Sequence, residues 1–371
     1  MNDFKYDYLI VGSGLFGATF AYKSMELGKT CLIIEKRPHL GGNVHCKNIE
    51  GINVHEYGPH IFHTSNKIVW DFVNKIVPFR QFTLNTLACY NGELYNLPFN
   101  MSTFYQLWGV TTPDEARDKL SEQIVNYSGT PKNLEEYALS QVGKDIFEKL
   151  IKGYTEKQWG RPCSVLQTSI LKRIPIRLTF NNNYFNDIYQ GIPIGGYNKL
   201  IDGLLKDTEC ILNTDFFNSK YRDWRSYAKN LVYCGPLDQY FDYKYGKLSW
   251  RTLRFDIDIK DTPNYQGNAI INFTSSEEPY TRIIEHKHFE SFGDEVYSNP
   301  KSVISKEYPQ EWKDGFEPYY PINDEVDNQL AQLYKDDSKK ESDVIFGGRL
   351  AEYKYYDMAP VVERALQYFK L

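Results

Sequence analysis

The sequence predicts an α/β protein in which a dinucleotide-binding unit is split between the two ends of the chain. A helical insertion and an antiparallel β-sheet insertion lie between the halves. Three observations predict this. The chain opens on a strand, glycine turn, helix and strand in "YDYLIVGSGLFGATFAYKSMELGKTCLIIEKR" and closes on a strand, turn and helix in "DVIFGGRLAEYKYYDMAPVVERALQYF". Between them a stretch of helical periodicity gives way to short alternating runs. At 371 residues the chain also exceeds the roughly 250–300 at which single cores split into domains.

Residues 8–11 are a short apolar run, as a parallel strand buried on both faces requires. Helical spacing covers 15–27, Gly28 suits the helix C-terminus, and Cys31–Ile34 is the second strand. Gly12, Gly14 and Gly17 form a G-x-G-x-x-G between strand and helix, with Leu15 and Phe16 inside it. The first glycine permits the tight turn and the second lets backbone approach a pyrophosphate. The third lets helix and strand pack closely, and the pyrophosphate sits at the helix N-terminus. Glu35, at the end of the second strand, is placed to accept from a ribose hydroxyl. This is a Rossmann-like unit.

"TPDEARDKLSEQIVNY", "NLEEYALSQVG" and "KDIFEKLIKGY" carry capping signals and helical periodicity over about 100–172. "LVYCG", "LRFDIDI" and "NAIINF" read as strands, which "YTRIIEHKHF" continues. The predicted dinucleotide-binding domain comprises 1–78, 195–240 and 342–371, and the helical domain 98–179. The sheet domain comprises 79–97, 180–194 and 241–341.

A net charge of -5 with dispersed basic residues argues against a nucleic-acid partner. No apolar run reaches the ~18 residues of a membrane span, and "MNDFKYDY" lacks a signal peptide's regions. Six scattered cysteines without a C-x-x-C fit reduced thiols, so a cytoplasmic protein without membrane insertion is expected. In "YGPHIFHT", His60 and His63 stand three apart, a spacing that invites a metal. No third or fourth ligand with suitable spacing lies nearby, and "HKH" at 286–288 is distant, so no metal is expected.

The glycine pair and Asn43 in "KRPHLGGN" resemble the second motif of flavoproteins related to the amine oxidases. "GGRLAEYKYYDMAP" resembles the other half of that FAD site, where a helix N-terminus faces the flavin pyrimidine ring. With a single G-x-G-x-x-G there is no separate nicotinamide domain, and FAD is the expected cofactor. The resemblance goes further. "YGPHIFHT", "IKGYTEKQWG", "KRIPIRLTFNNNYF", "QGIPIGGY", "GPLDQYFDY", "EPYTRIIEH", "PYYP" and "GRLAEYKYYDM" together are similar to the UDP-galactopyranose mutases of bacterial type, over nearly the whole chain.

That resemblance implies an isomerase that interconverts UDP-galactopyranose and UDP-galactofuranose and works with reduced FAD. Flavin N5 would attack the anomeric carbon and displace UDP; the adduct would open to an iminium and reclose as the furanose before UDP returns. Arg173, on a mobile loop, and Arg282, on the sheet, would hold the leaving diphosphate. Read alone, Arg173 is a solvated loop charge and Arg282 a salt-bridge partner; the resemblance reverses both. It implies substrate contacts from Tyr154, Trp159, Tyr184, Asn272, Tyr320 and Tyr355. It also places His60 and His63 near the flavin ring. The implied cofactor residues are Gly12, Gly14, Leu15, Phe16, Gly17, Glu35, Lys36, Gly42, Asn43, His60, Ile61, Gly348, Arg349, Tyr356, Asp357 and Met358. Leu150 and Ile151 stand where the family often has aromatics near the uridine. A homodimer and an external reductant are further expectations. The alternative is a flavin oxidoreductase of the amine-oxidase-like class, which leaves the arginines unexplained, and UDP-N-acetylgalactosamine stays open as an additional substrate.

Overall fold

The computed structural model describes residues 4–173 and 176–369. Five parallel strands form the first sheet, in the order Glu209–Ile211, Cys31–Ile34, Tyr6–Val11, Ala228–Tyr233 and Val344–Phe346. All four residues of Cys31–Ile34 are buried, because helices on one face and a loop-rich layer on the other exclude water from both sides. Helices Leu15–Glu26, Tyr197–Leu205 and Met358–Gln367 supply Phe16, Phe20, Leu200, Ile201 and Val362 to one core. Phe216, Tyr221 and Trp224 pack on the other face. Both ends of the chain thus meet in one sheet.

The second sheet has seven strands, ordered Tyr320–Pro321, Trp250–Lys260, Ser302–Glu311, Arg282–Glu285, Ile270–Phe273, Thr86–Tyr90 and Glu93–Leu97. It corrects the antiparallel expectation at one joint: Ile270–Phe273 pairs parallel with Thr86–Tyr90. The chain between them includes the whole helical region, a connection long enough for the parallel pairing that a hairpin cannot make. A small third sheet joins Phe62–Thr64, Tyr189–Pro193 and Phe79–Gln81. The segment "HKHF" leaves the sheet as a 3-10 turn, His286–Phe289, instead of extending the strand. His286, Lys287 and Phe289 all bury their side chains there, which strand alternation would not allow.

Helices Met101–Trp108, Pro113–Gln123 and Leu134–Ile146 start where Asn100, Thr112 and Asn133 accept from backbone N–H groups of the first turn. A π-helical turn, Phe147–Lys152, then runs into helix Gly153–Trp159. Leu150 and Ile151 belong to the helical core. Among the described residues no helix is long and apolar enough to cross a membrane.

Candidate active site

The glycine turn is built as a cradle. Gly12 has φ +102°, and a Cβ on Gly17 would lie 2.2 Å from the Gly12 carbonyl oxygen, so the closest helix–strand approach demands glycine. A Cβ on Gly14 would meet nothing within 4 Å, which leaves the start of helix Leu15–Glu26 open to the cleft. Glu35, only 5% exposed, accepts from Ser13 N (2.9 Å), Ser13 Oγ (2.7 Å) and Arg37 N (3.0 Å). Its carboxylate holds the turn and keeps lone pairs for a ribose hydroxyl. Asn43 Oδ1 accepts from Arg37 Nη2 (3.0 Å), and Lys36 and Arg37 both pair with Glu317. On the opposite side helix Met358–Gln367 begins at Asp357, whose side chain makes no cap bond, so its first N–H groups await another acceptor.

One cavity of about 520 Å³ joins this cradle to the second sheet. It is lined by every residue expected at the cofactor and by Tyr154, Tyr184, Asn272, Arg282, Tyr320 and Tyr355. Arg282 Nε donates to Glu307 Oε1 (2.9 Å), and the Glu307 side chain is 1% exposed. Burial opposes the Arg282 charge, but the Glu307 carboxylate beside it more than offsets that and holds the guanidinium charged. Burial raises the hydroxyls of Tyr154, Tyr184 and Tyr320, so they remain donors. Asn272 Oδ1 is buried without a hydrogen-bond partner, as a group turned to a ligand would be.

The two histidines face the cleft from a neighbouring strand and loop. Burial pulls His60 down to about 4, with Arg349 and Arg282 adding to the effect, so its imidazole is neutral. Its backbone N–H donates to His55 Nδ1 (3.0 Å). His63 Nδ1 meets Asp187 Oδ2 at 2.7 Å and its ring stacks on Phe185 at 3.7 Å. A carboxylate at Nδ1 fixes the tautomer and turns Nε2 the other way, 4.0 Å from Asp357 Oδ2. Neither histidine joins a metal-type cluster. Among the described residues that grouping is His39, His45 and Glu56, where Leu40 O and Tyr57 OH already engage both nitrogens of His39.

Of the expected residues, one lies outside the cavity lining, and the side chain of another lies outside the described residues. Trp159, expected against substrate, packs partly buried on the helical core and is not among the residues that line the cavity. Arg173 ends the 3-10 segment Thr168–Arg173, and its side chain lies outside the described residues. Conversely, Arg37, Glu307 and Asp187 escaped the sequence reading. Only Arg37 left a signal, as the neighbour of Lys36 in the motif after the second strand.

The model of the UDP-galactopyranose mutase family matches residues 149–355, more than half of the chain. The probable UDP-galactopyranose mutase of Klebsiella pneumoniae is 38% identical over 365 residues, covering 97% of this chain and 92% of its own. The chain belongs to the UDP-galactopyranose mutase family. A second relative, the dTDP-fucopyranose mutase of Escherichia coli, is 36% identical over 371 residues, covering 97% of this chain and 96% of its own. A model of an NAD(P)-binding Rossmann-like domain matches 10–76. A crystal structure of reduced UDP-galactopyranose mutase superimposes with a TM-score of 0.74 at 15% identity, over 98% of this chain and 96% of that one. The protein is thus a flavoenzyme, an isomerase with FAD as its cofactor. The cradle fits that group: the open Gly14 face leaves room for a pyrophosphate, and the uncapped helix at Met358 would suit an electron-rich ring.

Proposed function

We propose that this protein interconverts UDP-galactopyranose and UDP-galactofuranose. The observation that carries the reading is Arg282: a half-buried guanidinium, clamped at Nε by Glu307 and ringed by three phenols, in the cavity that also holds the flavin cradle. No hydrogen bond engages either Nη group among the described residues, so both remain for a diphosphate. A rigid fork in a water-poor cleft stabilises charge that develops on a departing UDP. Tyr154, Tyr184, Tyr320 and Tyr355 donate to phosphate or sugar oxygens, and Asn272 orients a sugar hydroxyl through its unpartnered Oδ1. Arg173 supplies the second cation. His60, neutral, and His63, its tautomer fixed by Asp187, hydrogen-bond at the flavin edge.

Reduced FAD, when bound in that cradle, would supply N5 as a nucleophile towards the anomeric carbon, with Arg282 placed to stabilise the departing UDP. An external reductant keeps the flavin competent. The six free thiols fit a cytoplasmic setting.

The relation to a dTDP-fucopyranose mutase makes the sugar nucleotide the point to test. Dithionite-reduced and oxidised protein are each incubated with UDP-galactofuranose, dTDP-fucopyranose and UDP-N-acetylgalactosamine, and products are resolved by chromatography. The proposal expects turnover of the UDP-hexose by reduced protein only, and faster than the dTDP-sugar. A preference for dTDP-fucopyranose would transfer the assignment to that sugar. Flavin reduction by an amine or alcohol, with no sugar nucleotide consumed, would make the protein an oxidoreductase.

A further inference from the structure

The segment "GYTEKQWG" contains a lysine that the site as described does not use. Lys157 lies in helix Gly153–Trp159, and its Nζ donates to four backbone carbonyls: Phe273 (2.9 Å), Ser275 (2.6 Å), Glu278 (2.9 Å) and Tyr280 (3.0 Å). An ammonium has three protons. Four carbonyl oxygens around one nitrogen therefore make an oxygen cage of the kind that replaces the hydration shell of a potassium ion.

The caged loop is not a remote one. It joins strand Ile270–Phe273, which carries Asn272, to strand Arg282–Glu285, which begins at Arg282. The helix lies flat on the same loop. A Cβ on Gly153 would stand 2.4 Å from the Thr274 carbonyl oxygen, and Thr274 Oγ1 donates to Lys149 O (2.7 Å). Gly153 permits the contact, Lys157 one turn later locks it, and Tyr154 between them faces the cleft beside Arg282. Burial pulls the Lys157 ammonium down to about 8, with Glu278 opposing, so an apolar side chain at this position would avoid a desolvation cost.

We infer that Lys157 is a positioning residue for the sugar-nucleotide diphosphate. Its ammonium occupies a monovalent-cation cage and so fixes the turn between Asn272 and Arg282 against the helix that carries Tyr154. This rests on the reading of Arg282 as the diphosphate anchor.

The test compares wild type, Lys157→Met, Lys157→Ala, Arg282→Ala and the Lys157→Met/Arg282→Ala double variant, all loaded with FAD. UDP affinity is measured by calorimetry on the oxidised proteins, and kcat and KM on the reduced ones. Lys157→Met is expected to retain FAD, to bind UDP more weakly and to lose roughly 10²-fold in kcat/KM, the scale of an ångström-sized misplacement. Arg282→Ala should then cost less in the Lys157→Met background than in wild type. In Lys157→Ala, potassium or ammonium chloride should restore UDP affinity and raise the melting midpoint, while choline chloride of equal ionic strength should do neither. Unchanged UDP affinity in Arg282→Ala would overturn the anchor itself. Weakened binding in Arg282→Ala but wild-type binding in Lys157→Met would overturn only the inference. Where Lys157→Met does not fold, a Lys157→Ala protein that responds to potassium no more than to choline overturns it equally.

Discussion

Acid is expected to destabilise this protein through a histidine that never reaches the cleft. His286 is 1% exposed. Its Nδ1 accepts from the His55 backbone N–H (3.2 Å), so in the neutral ring Nε2 carries the proton and donates to Ser305 Oγ (2.6 Å). A second proton would have to enter at Nδ1, opposite an N–H group. Burial accordingly pulls His286 from 6.5 down to about 3, with Glu285 opposing. The folded state refuses a proton that the unfolded chain accepts, so this contribution is intact above pH 6.5 and is lost as pH falls from 6.5 towards 3. At 1.36 kcal/mol per unit, the loss between pH 7 and pH 5 comes to about 2 kcal/mol. His286→Gln keeps an acceptor and a donor at similar reach but cannot titrate. Urea unfolding at saturating FAD, at pH 7 and pH 5, should show the wild-type loss reduced by about 2 kcal/mol in the variant. His55, also pulled well below 6.5 by burial, and His60 contribute to the remainder, so the difference between proteins is the readout. A variant with the full wild-type pH dependence would refute the reasoning.

Gly14→Val should abolish FAD binding while leaving the chain folded, because the space a side chain would fill is the open face of the cradle; flavin absorbance and circular dichroism check both halves. Arg282→Ala should lower turnover by roughly 10²–10³, the scale for losing one preorganised donor, without loss of FAD. Arg282→Lys should recover only part of that, since a point charge does not reproduce the fork, and steady-state kinetics with the reduced enzyme decide. Chelator treatment should leave activity unchanged; loss on EDTA restored by zinc would give His60 and His63, or the His39–His45–Glu56 group, a role assigned to neither here.

What the sequence disclosed follows the reach of each signal along the chain. The first strand, the glycine turn and Glu35 lie within one βαβ unit, where periodicity and turn chemistry act locally, and the helix from Leu15 and strand Cys31–Ile34 sit where the pattern put them. Helix starts at Asn100, Thr112 and Asn133 were equally readable, since a cap and its N–H partner lie two or three residues apart. The pairs that shape the cleft have no such signature. His63 meets Asp187 across 124 positions, His55 meets His286 across 231, and Arg282 finds Glu307 through antiparallel register that only the folded sheet sets. Trp159 shows a different limit: a motif is legible in sequence, but it does not say which face of its helix meets a cavity and which meets the helical core. The parallel joint at Ile270–Phe273 was hidden for a similar reason, as alternation marks a strand but not its direction.

The strand Val344–Phe346 and the helix from Met358 have a consequence for how the enzyme comes into being. Synthesis runs from the N-terminus, and domains fold as units when their residues have emerged. Here the glycine turn leaves the ribosome long before the strand and helix that close the opposite wall of its cradle. From the emergence of strand Ala228–Tyr233 until that of Val344–Phe346 the sheet must wait with an unpaired edge, while the helical region can already pack its own core. Flavin capture is therefore expected only after strand Val344–Phe346 and helix Met358–Gln367 have emerged. Nascent chains arrested before position 342 should hold no FAD, and retention of flavin by such chains would show that the early half suffices.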